Sequence, residues 1–200
     1  MKELPVKLPG TAPDVVLTPP PGRVLLHSCC APCSSAVLEC MLRNGIDTAV
    51  YFSNSNITPI EEYEHRKAEM IRWCETLGVE YIEDEYDHCE WLEKVGKGRE
   101  HLPECGPRCL ECFRYRLSRA ARYAAENGFS SLTTTLASSR WKRLDQVDEA
   151  GRDACARAGI QWWEMNWRKG GLQPRRNELI KELEFYDQTF CGCEFAIPGK

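Results

Sequence analysis

The chain has 200 residues, a net charge of −4 and twelve cysteines. At 42% apolar residues it can fill a core without disulfide staples, and no run approaches the ~18 apolar residues of a membrane span. The acidic balance excludes a basic blanket over nucleic acid but leaves room for a local basic patch.

Residues 1–22 read as an extended leader, because Pro5, Pro9, Pro13 and Pro19-Pro20-Pro21 prevent regular helix. A tail, or a strap along the body, is the expectation. The same prolines break any signal-peptide core, so a cytoplasmic protein with reduced thiols is expected. In that compartment twelve cysteines point to metal binding or redox chemistry.

Residues 23–200 read as one α/β domain. Arg23 to Ser28 is a short apolar strand, and HSCCAPC follows it at His27 to Cys33. Pro32 suits the first turn of a helix continuing to Arg43, and Ile46 to Ser53 supply a second strand. Thr58, Pro59 and Glu61 read as a capping box opening a helix to Leu77, with Gly78 as its stop. Val79 to Ile82 is a third strand, and residues 83–108 look like a cysteine-bearing insertion. A helix over Leu110 to Asn127 places Phe113, Leu117, Ala120, Ala121 and Ala124 on one face. Arg114, Arg116, Arg119 and Arg122 are expected on the other. A strand over Ser131 to Thr135, a helix over Lys142 to Arg157, a short strand at Gln161 to Glu164 and a helix over Arg175 to Tyr186 complete the chain. Alternating strands and helices imply a Rossmann-like parallel sheet with helices on both faces. Sites in such sheets lie beyond the carboxyl ends of strands, where HSCCAPC falls.

The cysteines form three tight groups: Cys29, Cys30 and Cys33; Cys105, Cys109 and Cys112; and Cys191 and Cys193. Thiolates two or three residues apart can grip one metal, and two distant pairs can close a four-thiolate site. Zinc is one reading. An iron–sulfur cluster fits a strand-end position better, with Cys33 and Cys105 left open as ligands. A CxC pair closes only a small, strained disulfide ring, which suits electron relay rather than stabilisation, with two further metal ligands as the alternative reading. Cys40, Cys74, Cys89 and Cys155 stand apart and read as structural.

Taken in order, LLHSCCAPCSSAVLE, YFSNSNITPIEEYEHR, PRCLECFRYRL, LTTTLASSRWK and YDQTFCGC resemble the cobalamin-independent epoxyqueuosine reductases of tRNA queuosine biosynthesis. The resemblance spans roughly residues 23–195 and omits the leader. It implies a sheet similar to that of the adenine nucleotide alpha-hydrolases, a 4Fe-4S cluster, and reduction of epoxyqueuosine at the tRNA wobble position. By motif, Cys29, Cys30, Cys109 and Cys112 match cluster cysteines, and Cys191 and Cys193 match a redox-active pair. HSCCAPC stands where ATP-using relatives of the fold carry a Gly/Ser-rich phosphate loop, so ATP is not expected. Asp187 and Phe190 depart from the Tyr-Arg-Gln and Tyr-Cys-Gly-Cys pattern of the family, and at 187 the charge is reversed.

Such an enzyme needs an electron donor, which the sequence does not identify, and an additional iron beside the cluster is a further possibility. Asp84 and Asp87 are candidate oxygen ligands or proton sources, with solvated acids as the commoner alternative. A tRNA loop is read by stacking and by cationic contacts to phosphates. The candidates are Arg114 with its helix neighbours, Arg140, Lys142 and Arg143, and the Trp167, Arg168, Lys169, Arg175, Arg176 group. The main rival is a zinc-stabilised RNA-binding module without redox activity. A thiol–disulfide oxidoreductase using the CxC pair alone is another.

Overall fold

The structure is a computed structural model describing residues 3, 4 and 6–196; Met1, Lys2, Pro5 and residues 197–200 lie outside the described residues. Five strands form one parallel sheet in the order β3-β2-β1-β4-β5. They are β1 (Val24–Ser28), β2 (Thr48–Phe52), β3 (Glu80–Glu83), β4 (Ser131–Thr134) and β5 (Gln161–Trp162). Every residue of β1, β2 and β4 is buried, as a parallel sheet covered on both faces requires.

Helix α1 (Ala31–Arg43) packs with α2 (Ile60–Leu77) and α6 (Leu172–Glu182). On the other side α4 (Pro107–Glu126) packs closely with α5 (Leu144–Ala158). The expected insertion contains α3 (His88–Trp91), which runs directly into a π-turn at Leu92–Gly96. Among the described residues no helix is long and apolar enough to cross a membrane.

The start of α2 differs from expectation. Thr58 makes no side-chain cap, and the helix opens at Ile60 behind Pro59. The Thr58 N–H donates instead to the Gly192 carbonyl at 2.9 Å, which ties this loop to the C-terminal cysteine pair.

The described part of the leader carries no helix or strand and forms a strap. Leu4, Val6, Leu8, Val15 and Leu17 pack against the core. Asn44 fastens it twice, accepting from the Leu17 N–H at 2.9 Å and donating to the Val15 carbonyl at 2.8 Å. These bonds satisfy polar backbone that a strap without a sheet partner would otherwise leave unpaired.

Candidate thiol-lined active site

The topology puts β1 at the centre, between β2 and β4, so the chain leaves it at the crevice where strand order reverses. Cys29 and Cys30 follow immediately. Pro32 in the first turn of α1 then brings Cys33 back over them. The Ser34 hydroxyl donates to the Cys30 carbonyl at 2.8 Å and fixes this turn. The three sulfurs of Cys29, Cys30 and Cys33 lie within 4.8 Å of one another, with Cys29 and Cys30 3.7 Å apart.

A second segment arrives with α4. Gly106 caps the helix and Pro107 opens it, so Cys109 and Cys112 fall one turn apart. The Cys105 N–H donates to Cys109 Sγ at 3.3 Å, and the Cys105 thiol donates to the Trp141 carbonyl at 3.0 Å.

The third segment is Phe190 to Cys193. Buried Arg66 of α2 donates to the carbonyls of Cys191 at 3.2 Å and Phe190 at 3.3 Å. Its guanidinium also lies over the Phe190 ring, 5.2 Å from the centroid. Gly192 has φ +101°, and a Cβ there would stand 3.0 Å from Ile57 Cγ1 and 3.1 Å from Arg66 Nη1. Glycine between the two cysteines is therefore required by both backbone conformation and space.

The eight grouped cysteines all line one cavity of about 850 Å³. Its wall also carries six basic side chains, Arg66, Arg108, Arg116, Arg140, Lys142 and Arg176, against two acids, Glu104 and Asp187. An acidic chain thus presents a basic cavity, which favours thiolates and anionic ligands.

Hydrogen bonds from the Cys30 and Cys33 thiols hold the Cys29 pKa well below the ordinary thiol range, with Lys142 and Arg116 adding to the effect. Burial and the adjoining thiols push Cys30 well up, and the Cys29 thiolate pushes Cys33 up to about 11. The same asymmetry recurs in the CxC pair: a thiol hydrogen bond from Cys193, with Lys142 next in strength among the attractions, lowers Cys191, while Cys193 is raised. Lys142 Nζ stands 3.7 Å from Cys191 Sγ. His27, beneath the site at the end of β1, is neutral. Burial, helped by Arg116, lowers its pKa to about 3. With the Ser53 carbonyl 3.2 Å from Nε2, that nitrogen carries the proton, and Nδ1 accepts from the Thr134 hydroxyl at 2.7 Å.

Soft thiolate donors select iron–sulfur clusters or zinc. The cavity supplies more of them than the four that one such site uses. The residues present therefore fit a thiolate-held metal group.

Several sequence expectations need correction. Trp167 is 1% exposed and packs edge-on against Trp163, so it cannot stack on a base. Arg175 is buried too, paired with Glu39 at 2.7 Å and bonded to the leader through the Pro9 carbonyl at 2.7 Å. Arg116 does not share a solvated face; it is buried and donates to the Ser53 carbonyl at 2.9 Å and to the Asn54 side chain. Arg114 is engaged by Glu111 and Glu149 away from the cavity. Asp84 is neither ligand nor free acid: it accepts from Ser53 at 2.6 Å and pairs with Arg119. Asp87 caps α3 by accepting from the Glu90 N–H at 2.7 Å. Cys89 is exposed, unlike the buried Cys40, Cys74 and Cys155.

Arg140, Lys142 and Arg176 do border the cavity. Arg168 sits behind them, donating to the Lys142 carbonyl at 2.6 Å, and Lys169 is exposed outside the cavity lining. The structure adds Arg66, Arg116, Gln188 and Trp141 to the wall. Gln188 donates to Cys30 Sγ at 2.6 Å. Trp141 carried a signal, since it lies between Arg140 and Lys142 in a stretch already noted for its charge.

A family model described as epoxyqueuosine reductase QueH matches residues 24–198. Three proteins named epoxyqueuosine reductase QueH are similar to it along more than three quarters of their own length. That of Acinetobacter baylyi is 46% identical over 176 residues, 88% of this chain and 80% of the relative. That of Histophilus somni is 43% identical over 190 residues, 94% of this chain and 78% of the relative. That of Thermotoga maritima is 33% identical over 179 residues, 88% of this chain and 91% of the relative. The matched span takes in every cavity-lining cysteine, and with that agreement between site and sequence the chain belongs to the epoxyqueuosine reductase QueH family.

Proposed function

We propose that this chain reduces epoxyqueuosine to queuosine at the wobble position of a tRNA anticodon. One observation carries the reading: three segments of a member of this family bring eight thiols to a single basic cavity at the end of the central strand. In this reading Cys29, Cys30, Cys109 and Cys112 hold a 4Fe-4S cluster. Cys33 remains beside it as a thiolate for an additional iron, while the Cys105 thiol is engaged by the Trp141 carbonyl. When bound, such a group supplies single electrons and a Lewis-acidic iron for the epoxide oxygen.

The electron balance gives the CxC pair its part. Deoxygenating an epoxide to an alkene consumes two electrons and two protons and releases water. Oxidising the Cys191 and Cys193 thiols to a disulfide releases two electrons and two protons. One turnover therefore converts epoxide and dithiol to alkene, disulfide and water. An external electron donor, a small thiol or a redox protein, then returns the disulfide to the dithiol. Lys142 holds Cys191 as the thiolate and Cys193 keeps the proton between them, so the pair delivers two electrons and one proton directly, and the second proton, released when Cys191 ionised, is taken back from water. Arg140, Arg168, Lys169 and Arg176 supply cations for loop phosphates, and no step calls for ATP. A tRNA substrate fits a cytoplasmic site of action.

The test is anaerobic incubation of the iron-loaded protein with an epoxyqueuosine-bearing anticodon stem-loop and a reductant. The expected product has lost one oxygen by mass. A preparation that binds zinc stoichiometrically, takes up no iron and leaves the stem-loop unchanged overturns the reading.

A further inference from the structure

Trp141 is 74% exposed. Large aromatic side chains are usually well covered, and in this chain Trp73, Trp91, Trp163 and Trp167 are all buried. The other exposed large apolar residues among those described are Val16 and Ile60, and neither borders the cavity. Trp141 does border it, together with Cys105 and Cys109.

The indole is also held in place from behind. The Lys142 N–H closes a turn onto the Ser139 carbonyl at 3.2 Å. The Cys105 thiol donates to the Trp141 carbonyl at 3.0 Å, and Arg168 donates to the next carbonyl, that of Lys142, at 2.6 Å. A fixed backbone under an exposed ring lowers the ordering cost of using that ring to bind. Arg140 lies over the indole, 4.7 Å from the ring centroid. It covers one face and leaves a ring that is mostly in solvent with the other face for a ligand.

We infer that Trp141, backed by Arg140, is a stacking platform for an unpaired nucleobase next to the modified one. This rests on the reading of the cavity as a tRNA-modifying site. The group carrying the epoxide must descend to the thiols, so the nucleotides beside it remain at the rim, where Trp141 stands. Arg140 on the ring and the exposed Arg143, which also meets Asp145, bring positive charge suited to the backbone of that nucleotide, while the Lys142 ammonium is turned to Cys191. An apolar protein partner would not need these cations. Trp141 thus takes the stacking role for which Trp167 was the sequence candidate.

The test compares iron-loaded wild type, Trp141→Ala and Trp141→Phe on two substrates, the epoxyqueuosine-bearing anticodon stem-loop and the free epoxyqueuosine nucleoside. The nucleoside has no neighbouring base. Trp141→Ala is expected to lower the kcat/KM preference for stem-loop over nucleoside by about 5- to 150-fold, the range for one base–aromatic stack. Trp141→Phe should restore most of it. A preference that does not move overturns the inference, as does a loss that Phe fails to restore. Wild type that turns over neither substrate overturns the underlying reading instead. In that event, affinity for an unmodified stem-loop, measured by anisotropy, still decides the stack: weaker with Ala and restored by Phe supports it, and equal affinity overturns it. A change of oligomeric state in Trp141→Ala with stem-loop affinity intact assigns the ring to a protein contact and overturns it as well.

Discussion

The guanidinium of Arg66 donates to the Cys191 carbonyl at 3.2 Å, so a residue of α2 positions a cysteine 125 places further along the chain. The same group is bonded to Glu62 at 2.6 Å. Glu62 in turn accepts from the Tyr186 hydroxyl at 3.1 Å, just ahead of the cysteine pair. Replacing Arg66 leaves a largely buried carboxylate without its cation and releases the CxC loop. Arg66→Gln should cost about 3 kcal/mol in denaturant unfolding. It should also slow disulfide formation between Cys191 and Cys193 under a mild oxidant. Lost stability with unchanged disulfide formation would limit Arg66 to a scaffolding role.

Lys142 acts on the same cysteine through charge. Burial opposes its ammonium, but the Cys191, Cys29 and Cys33 thiolates hold its pKa above the ordinary lysine value. Reciprocally, the ammonium helps keep Cys191 ionised below the usual thiol range. In Lys142→Met the alkylation of Cys191, followed by peptide mass mapping, should begin at higher pH than in wild type. Lys142→Arg should keep most of the low-pH reactivity. Coincident profiles for wild type and the Met variant would remove Lys142 from thiolate stabilisation.

The strands and the cysteine groups were legible because both are local signals. β1 and β2 are short apolar runs between turn residues, and HSCCAPC sits directly after the first. The convergence of the first two groups was implied through the resemblance alone, and that of the CxC pair rests on long-range contacts from Arg66 and Thr58 that no sequence window shows. Charges at long sequence separation were not legible. Arg116 and Arg175 resemble surface arginines in any window, and what buries them is Ser53 and Asn54 in one case and Glu39 in the other. Tryptophan showed the same limit. Trp141 and Trp167 both adjoin basic residues, and only the packing of Trp163 beside one separates them. The capping reading of Thr58 failed because its backbone serves the Gly192 carbonyl rather than the helix.

The Arg175–Glu39 pair joins α6 to α1, with side chains only 2% and 4% exposed. Both carboxylate oxygens are used, at 2.7 and 2.8 Å. Arg175→Ala should therefore destabilise the fold by about 3–5 kcal/mol, since a buried carboxylate is left unpaired. Because the Pro9 carbonyl loses its donor as well, proteolysis within the leader should speed up. Arg176, which pairs with Asp187 at the cavity wall, should behave differently. Arg176→Ala should keep the melting temperature within a few degrees while weakening stem-loop binding at low salt. A reversed order of effects, with binding lost at Arg175 and stability lost at Arg176, would contradict this division.

Asp148 is a buried acid of α5, accepting from the Trp162 indole at 3.3 Å. Burial, with Glu164 adding, raises its pKa to about 6. Its pKa when unfolded is about 3.9, so the folded state binds the proton more tightly. Ionisation therefore costs stability at neutral pH, and that cost disappears as pH falls from about 6 toward about 4. Asp148→Asn keeps an acceptor for Trp162 and removes the charge. It should stabilise the protein at pH 7 by on the order of 1 kcal/mol. The two proteins should converge near pH 4, where Asp148 is protonated in the folded state. Urea unfolding of both across pH 4 to 8 checks this, and a stability difference independent of pH would show that the gain comes from packing or hydrogen bonding rather than from the buried charge.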